Sequence, residues 1–225
     1  MVGVGLKPGN DMRELQSKPN IRQSFTLHRL ASSYDTEIKH RNKEYADRLR
    51  LFLDQYSTTS NDRSTEYQKF PLETLGDCWK YPYGYLDDLE PCFILSLNRI
   101  WNWQPVAISN EDFEENDWPI QFEEHWRLQS DKNFVWFDCD FRDCKKRNCS
   151  SEQNEDFGDI EYFPSNRGIS TKYFPYKGVS DLNSTYHSPL VAIKYKPGSA
   201  KSVVLECRAF YKGKWIFLPY LLGWV

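Results

Sequence analysis

Hydrophobic and polar positions follow two different periods along this chain. Between residues 34 and 56, apolar side chains recur every three or four positions, the spacing that places them on one face of an α-helix. Ser32 and Asp35 resemble a capping box, and Glu44 precedes Arg48 by the four positions that favour a helical ion pair. The spacing predicts one amphipathic helix, packed on a domain or offered to a partner or membrane surface. Its apolar face consists of Tyr34, Ile38, Tyr45, Leu49, Phe52 and Tyr56.

Beyond residue 70 the apolar positions form short runs separated by Gly, Pro and polar turns. In the segment 202–211, apolar side chains occupy every second position, which places them on one face of a β-strand. Several short strands separated by turn residues are typical of a β-sandwich. The chain is therefore predicted to be mainly β with one α-helix. The predicted strands cover residues 91–97, 133–139, 189–195 and 202–211, and a last apolar segment at 215–225 that Pro219 interrupts.

These patterns divide the chain into three parts. Residues 1–33 show no clear period and are interpreted as an extended arm, and residues 34–56 are the helix. Residues 57–225 form the β-sandwich, with which the helix makes one domain, and they begin with a polar loop at 57–70.

The segment 111–124 combines many carboxylates with aromatic residues. Clustered carboxylates suit calcium, but their spacing here does not match an EF-hand loop. A solvated loop anchored by its aromatic side chains is the favoured interpretation, and an ion or partner site is the alternative. The aromatic residues are Phe113, Trp118 and Phe122.

Charge and composition exclude several classes of protein. The 225 residues include 29 Lys and Arg against 32 Asp and Glu, which gives a net charge of −3. An isoelectric point near 5.9 argues against a nucleic-acid partner, because a phosphate backbone requires a strong positive field. A hydrophobic content of 40% is enough for a core. The mean hydropathy of −0.72 and the lack of an apolar run of about 20 residues predict no membrane span inside the chain.

Sequence motifs for catalysis are absent. The chain contains no HExxH pair, no GxSxG nucleophile elbow, no GxGxxG dinucleotide fingerprint and no GxxxxGK[ST] phosphate loop. We therefore predict that the chain is not an enzyme and uses no cofactor or metal.

The six cysteines indicate an oxidised, extracytoplasmic chain. Six cysteines allow 15 disulfide connectivities, and the sequence alone does not choose among them. Cys78 and Cys92 bracket a short turn and are natural partners. A metal site is disfavoured because Cys139, Cys144 and Cys149 lack paired CxxC spacing.

Two N-x-[ST] sequons, at Asn148 and Asn183, also fit passage through the secretory pathway and predict N-glycans. The residues that follow Met1 do not form a signal peptide. We therefore expect a signal or membrane anchor upstream of Met1. A soluble secreted binding module that begins at Met1 is the alternative.

A series of motifs runs in a fixed order over about residues 76–211. Its central block is Tyr83-Gly84-Tyr85, Pro91-Cys92 and Leu97-Asn98-Arg99. Further members are Gly76-Asp77-Cys78, Val135-Trp136-Phe137-Asp138-Cys139, Ile160-Glu161-Tyr162-Phe163, Tyr173-Phe174-Pro175-Tyr176, Pro189-Leu190-Val191-Ala192 and Leu205-Glu206-Cys207-Arg208-Ala209-Phe210. This ordered series resembles the β subunit family of the sodium/potassium-transporting ATPase, as a divergent member of invertebrate type.

The resemblance implies a single-pass type II glycoprotein of the plasma membrane. Its extracellular part would be an immunoglobulin-like β-sandwich stapled by disulfides, and residues 1–33 would be the membrane-proximal arm. The implied function is that of a non-catalytic subunit that assembles with the α subunit of a P-type cation pump. Such a subunit stabilises and traffics the α subunit and modulates its potassium affinity.

The resemblance also assigns residues. It implies disulfides between Cys78 and Cys92 and between Cys139 and Cys207. It places the α-subunit contact at Tyr173, Phe174, Pro175 and Tyr176, with Tyr83 and Tyr85 as weaker candidates. The alternative is that these rings fill the sandwich or, for Tyr83 and Tyr85, form a local core.

The chain departs from the family pattern in two regions. Residues 57–77 contain no cysteine, so the family's first disulfide is missing, whereas Cys144 and Cys149 are extra and are predicted to pair with each other. Lys177 and Val179 stand where the family has an aromatic residue and a lysine. These departures favour a second hypothesis, a β-like adhesion or junction glycoprotein that no longer assembles with the pump.

Overall fold

The computed structural model describes a mixed α/β fold. The described residues are 24–28, 36–57, 68–86, 89–97, 99–115, 120–141, 156–178, 186–200, 202–212, 214–217 and 221–222. Within them lie two antiparallel sheets, three α-helices and two 3-10 segments. None of the described helices is both long and apolar enough to cross a lipid bilayer.

The first sheet consists of strands β1 (Ser24–His28), β3 (Phe134–Phe141), β5 (Gly168–Ser170), β7 (Ser202–Tyr211) and β8 (Lys214–Phe217). Their order is β1-β7-β3-β5, with β8 also paired to β7. The second sheet consists of strands β2 (Cys92–Ser96), β4 (Gly158–Phe163), β6 (Leu190–Pro197) and β9 (Leu221–Leu222). Their order is β4-β6-β2-β9.

The two sheets share one hydrophobic core, built from alternate positions of their strands. Odd-numbered residues of all four central strands point into it, which is the period-two pattern that the sequence of β7 shows. Members of this core are Phe93, Leu95, Val135, Phe137, Val191, Ile193, Val203, Leu205 and Ala209.

A second core lies on the opposite face of the second sheet. Helix α1 (Thr36–Ser57) and the 3-10 segment Leu72–Trp79 cover Ile94 of β2 and Ala192 of β6. Both faces of β2 are therefore buried, which explains why its sequence is continuously apolar instead of alternating. The helix contributes Tyr45, Ala46, Leu49, Leu53 and Tyr56, so the predicted amphipathic helix packs on the domain.

A third core covers the outer face of the first sheet and corrects the prediction for residues 111–124. This acidic segment is not a loop but contains helices α2 (Asn110–Glu115) and α3 (Ile120–Leu128). The fold therefore has three α-helices among the described residues and not one. Of the predicted anchors, Phe113 and Phe122 do pack in this core with Trp136 and Phe210, and Trp118 lies outside the described residues. Trp126, one helical turn after Phe122, joins them.

Two disulfides join these elements. One bond links Cys78 of the 3-10 segment to Cys92 at the start of β2, and the other links Cys139 of β3 to Cys207 of β7. Both are the pairings that the family resemblance implies. The predicted Cys144–Cys149 bridge and the sequons at Asn148 and Asn183 lie outside the described residues.

Candidate functional site

The predicted contact residues Tyr173–Tyr176 lie beside the segment that follows β2. Trp101 forms a parallel bridge with Tyr176, and the Asn102 N–H donates to the Tyr176 carbonyl oxygen at 2.7 Å. Gly178 has φ +85°, and a Cβ added there would lie 2.3 Å from Cζ3 of Trp101. Because position 178 is a glycine, the indole of Trp101 can pack on the backbone there. Trp101 is nevertheless 70% exposed.

Tyr173 is half-buried between the first and second cores. Its ring lies edge-on to Phe70, with 5.5 Å between the centroids, and its carbonyl accepts a hydrogen bond from the Tyr186 hydroxyl at 3.5 Å. Burial raises the pKa of the Tyr173 phenol. The ammonium group of Lys172 lies 5.1 Å from the Tyr173 ring, so a cation borders the exposed part of this side chain.

The next three residues of the motif are also half-buried. Phe174 lies edge-on to Trp103 at 5.3 Å between centroids, and the Phe174–Pro175 peptide bond is cis. The Tyr176 ring is 4.9 Å from the Tyr186 ring, and the guanidinium carbon of Arg99 is 6.0 Å from the Tyr176 ring. Each ring thus has one side packed on the protein and another side open to solvent.

We call this region the aromatic surface and define it as Trp101, Trp103, Tyr173, Phe174 and Tyr176. Aromatic side chains held by packing on one side offer large contact area at low entropic cost to a partner. The structure therefore brings together the predicted motif residues and two tryptophans that the sequence analysis did not select.

Tyr83 and Tyr85 do not belong to the aromatic surface. Their exposed fractions are 4% and 1%, and the Tyr85 hydroxyl donates to the Cys92 carbonyl oxygen at 3.0 Å. The Tyr85 ring contacts Tyr45 of α1 and Phe93 of β2. Burial is the main cause that raises the pKa of Tyr83 to about 12. The structure favours the local-core interpretation of this pair, because buried rings offer no area to a partner.

A separate polar cluster lies around Asp138 and Cys139 of β3. The guanidinium of Arg167 donates to Asp138 Oδ1 at 3.1 Å and lies 4.3 Å from the ring of Tyr162. The hydroxyl of Tyr162 accepts from the Cys139 N–H at 2.7 Å and donates to the Cys139 carbonyl at 3.2 Å. Burial raises the pKa of Asp138 to about 6, although Arg167 acts in the opposite direction.

Ionisable side chains do not converge on a metal site in the part of the chain that the structure describes. No group of three or more His, Cys, Asp or Glu residues there has the arrangement of a metal site. Asp112 accepts hydrogen bonds from the Ser109 N–H and hydroxyl, both at 2.7 Å. Burial opposes ionisation of Asp112, but these bonds and Lys212 together lower its pKa. This acidic residue therefore serves to begin helix α2.

The sequence analysis missed Trp101 and Arg99 as site residues. Both follow the last buried position of the strand region, and Trp101 belongs to a run, Ile100-Trp101-Asn102-Trp103, that continues neither the period of a strand nor that of a helix. Large apolar side chains outside any periodic face are a signal for an exposed contact surface.

Comparison with known proteins places the chain in one family. Residues 14–214 match the family described as sodium / potassium ATPase beta chain. Sodium/potassium-transporting ATPase subunit beta-1 of Drosophila melanogaster is 32% identical over 145 residues, which cover 62% of this chain and 41% of that protein. Subunit beta-2 of Drosophila melanogaster is 24% identical over 230 residues, which cover 92% of this chain and 65% of that protein.

A nematode relative shows the same relationship. The probable sodium/potassium-transporting ATPase subunit beta-3 of Caenorhabditis briggsae is 26% identical over 132 residues, which cover 58% of this chain and 34% of that protein. The chain thus spans between 34% and 65% of the length of these three curated relatives. The beta chains are non-catalytic accessory subunits, in agreement with the lack of catalytic motifs. Because the family match covers most of its residues and its motifs occur in family order, the chain belongs to the sodium/potassium ATPase beta chain family.

Proposed function

We propose that this chain is the extracellular part of a β subunit that assembles with the α subunit of a P-type cation pump at the plasma membrane. Its two packed sheets would correspond to the immunoglobulin-like sandwich of residues 57–225, with a membrane anchor upstream and N-glycans at Asn148 and Asn183. In this role the chain stabilises and traffics the α subunit and modulates its potassium affinity.

The observation that supports this function is the aromatic surface. It combines the family's Tyr173–Tyr176 motif with an exposed tryptophan, and its rings are fixed by packing before any partner binds. Pre-organised aromatic rings lose little conformational entropy on binding, so they suit a stable subunit interface.

Co-purification of the full-length protein with a co-expressed α subunit tests the proposal. Trp101→Ala should lower recovery of the α subunit at least about tenfold, because a central aromatic anchor contributes about 2 kcal/mol or more. Trp79→Ala is the matched control, since Trp79 is an exposed tryptophan of the Leu72–Trp79 segment outside the aromatic surface. Absence of the α subunit from the purified protein, or equal recovery with both variants, would refute the assignment.

A second candidate function is adhesion between cells, favoured by the position of Lys177. This lysine is exposed beside Tyr176, where the family has another aromatic residue. Aggregation of cells that express the protein, unaffected by Trp101→Ala, would support this candidate. Surface localisation that requires the α subunit would count against it.

A further inference from the structure

Arg99 lies at the rim of the aromatic surface, where its side chain contacts a hydroxyl group and two tyrosine rings. Its Nε donates to the Ser188 hydroxyl at 3.2 Å, and its guanidinium carbon lies 5.5 Å from the Tyr186 ring and 6.0 Å from the Tyr176 ring. Ser188 is buried, and its carbonyl accepts a hydrogen bond from the Tyr56 hydroxyl at 2.8 Å. These contacts hold the side chain in place and leave the Nη side of the guanidinium without a protein acceptor among the described residues.

His187 lies beside this arginine, and its ring nitrogen Nε2 is a second polar group that has no hydrogen-bond partner among the described residues. Its ring is 4.6 Å from the Tyr56 ring, and its Nε2 is buried without a hydrogen-bond partner. Burial lowers the pKa of His187, and the positive charges of Arg99 and Lys69 lower it further. The imidazole therefore senses the charge of Arg99.

The described neighbours of Arg99 and His187 include no carboxylate partner. Within the described ranges, no Asp or Glu pairs with Arg99 or with His187, and the charged groups that act on His187 are both cations. Arg99 is exposed, so water solvates its guanidinium in the free chain. A partner that covers this edge removes that water, and because an unpaired desolvated charge is costly, such a partner must supply an anion. Aromatic faces supply part of that stabilisation, but they leave the net positive charge in place.

We propose that Arg99 is a recognition residue for one carboxylate, supplied by an acidic side chain on the extracellular surface of the α subunit. This inference rests on the proposed function. The Nη side of a guanidinium matches a carboxylate through two parallel hydrogen bonds. Because Arg99 adjoins Tyr176, the carboxylate would bind at the edge of the same interface.

The first arm of the test measures the site without the α subunit. His187 is titrated by NMR in sodium acetate and in sodium chloride at equal ionic strength, with His125 of α3 as the internal reference. A carboxylate bound at Arg99 offsets its positive charge, so acetate should raise the pKa of His187 but not that of His125. Arg99→Gln should abolish the difference. An equal pKa of His187 in the two salts would overturn the proposal.

The second arm measures recovery of the co-expressed α subunit by the full-length protein. Arg99→Glu should reduce recovery at least about tenfold, because it places a like charge opposite the carboxylate. Lys43→Glu makes the same charge change on the exposed side of α1 and should alter recovery less than about twofold. Normal recovery with Arg99→Glu would overturn the assignment of the carboxylate to the α subunit.

The two arms also separate this inference from the proposed function. If acetate shifts His187 but the parent protein recovers no α subunit, the carboxylate site stands, its assignment to the α subunit falls, and so does the proposed function. If the parent recovers the α subunit but acetate has no effect, the proposed function stands and Arg99 does not bind a carboxylate.

Discussion

The phenyl ring of Phe163 lies directly against the backbone of Gly76. A Cβ added at Gly76 would be 2.3 Å from Cδ1 of Phe163, and Gly76 has φ +57° and ψ −127°. The contact fixes the Leu72–Trp79 segment, which carries Cys78, against the end of β4. Two independent features therefore require a glycine at this position: the backbone conformation and the close approach of the Phe163 ring.

Gly76→Ala should lower the free energy of unfolding by about 2–4 kcal/mol, because it combines a steric overlap with a strained backbone. Urea unfolding measures this change. Adding Phe163→Ala removes the overlap but not the backbone strain, so the double variant should lose less free energy than the sum of the two single variants. Strict additivity would show that the two residues do not interact.

Asp138 should make the stability depend on pH in a direction opposite to that of most paired carboxylates. Its pKa in the folded state is about 6, chiefly because of burial, against about 3.9 in an unfolded chain. Above pH 6 the folded state bears the cost of a buried ionised group, about 3 kcal/mol for a shift of about two units. As the pH falls from about 6 to 4, the folded state takes up the proton first, and the contribution of Asp138 to stability rises.

Asp138→Asn tests this sign. The free energy of unfolding of the variant minus that of the parent should be larger at about pH 7 than at about pH 4.5, because the variant lacks the buried charge; urea titration at both pH values measures it. Asp77→Asn makes the same change at an exposed carboxylate, which forms an ion pair with exposed Lys80, and serves as the control. If the difference between Asp138→Asn and the parent is the same at both pH values, ionised Asp138 carries no cost.

Much of the β-structure could be predicted from the sequence because buried strands have recognisable apolar runs or alternating apolar positions. Strands β2, β3, β6 and β7 coincide with predicted apolar runs, and α1 has the predicted helical period. Strands β4 and β5 are only partly buried or very short, so their apolar pattern is weak. Helices α2 and α3 were not predicted because most of their residues are charged or polar. Few apolar side chains pack them on the first sheet, so their sequences show no clear helical period.

The candidate site was predicted less completely than the fold. The Tyr173–Tyr176 motif was found through its family resemblance, and the burial of Tyr83 and Tyr85 depends on packing by α1, which no local pattern reveals. Arg99 was quoted only as part of a motif. Arg99 lies beside Tyr176, Tyr186 and Ser188, and its hydrogen-bond partner Ser188 is 89 residues away in the sequence. The spacing of apolar residues predicts local structure and cannot predict such a long-range contact.

The two disulfides should contribute unequally to stability. Cys139 and Cys207 are 68 residues apart, whereas Cys78 and Cys92 are 14 residues apart. In the chain-entropy model, the longer loop corresponds to about 4 kcal/mol and the shorter to about 3 kcal/mol. The double variant Cys139→Ala/Cys207→Ala should therefore unfold at lower urea than Cys78→Ala/Cys92→Ala. The reverse order would show that loop length does not govern the difference.

The packing of helix α3 on the first sheet should depend on the burial of one side chain, Phe122. Phe122 is stacked on Phe210 of β7 at 4.2 Å between centroids and is almost fully buried. Phe122→Ala should therefore lower the free energy of unfolding by about 3–5 kcal/mol, because it leaves a cavity between α3 and the first sheet. Leu128→Ala, at an 84% exposed position of the same helix, should change it by less than about 0.5 kcal/mol. Urea midpoints measure both variants. If residues 111–124 were a solvated loop, the two variants would unfold at the same urea concentration.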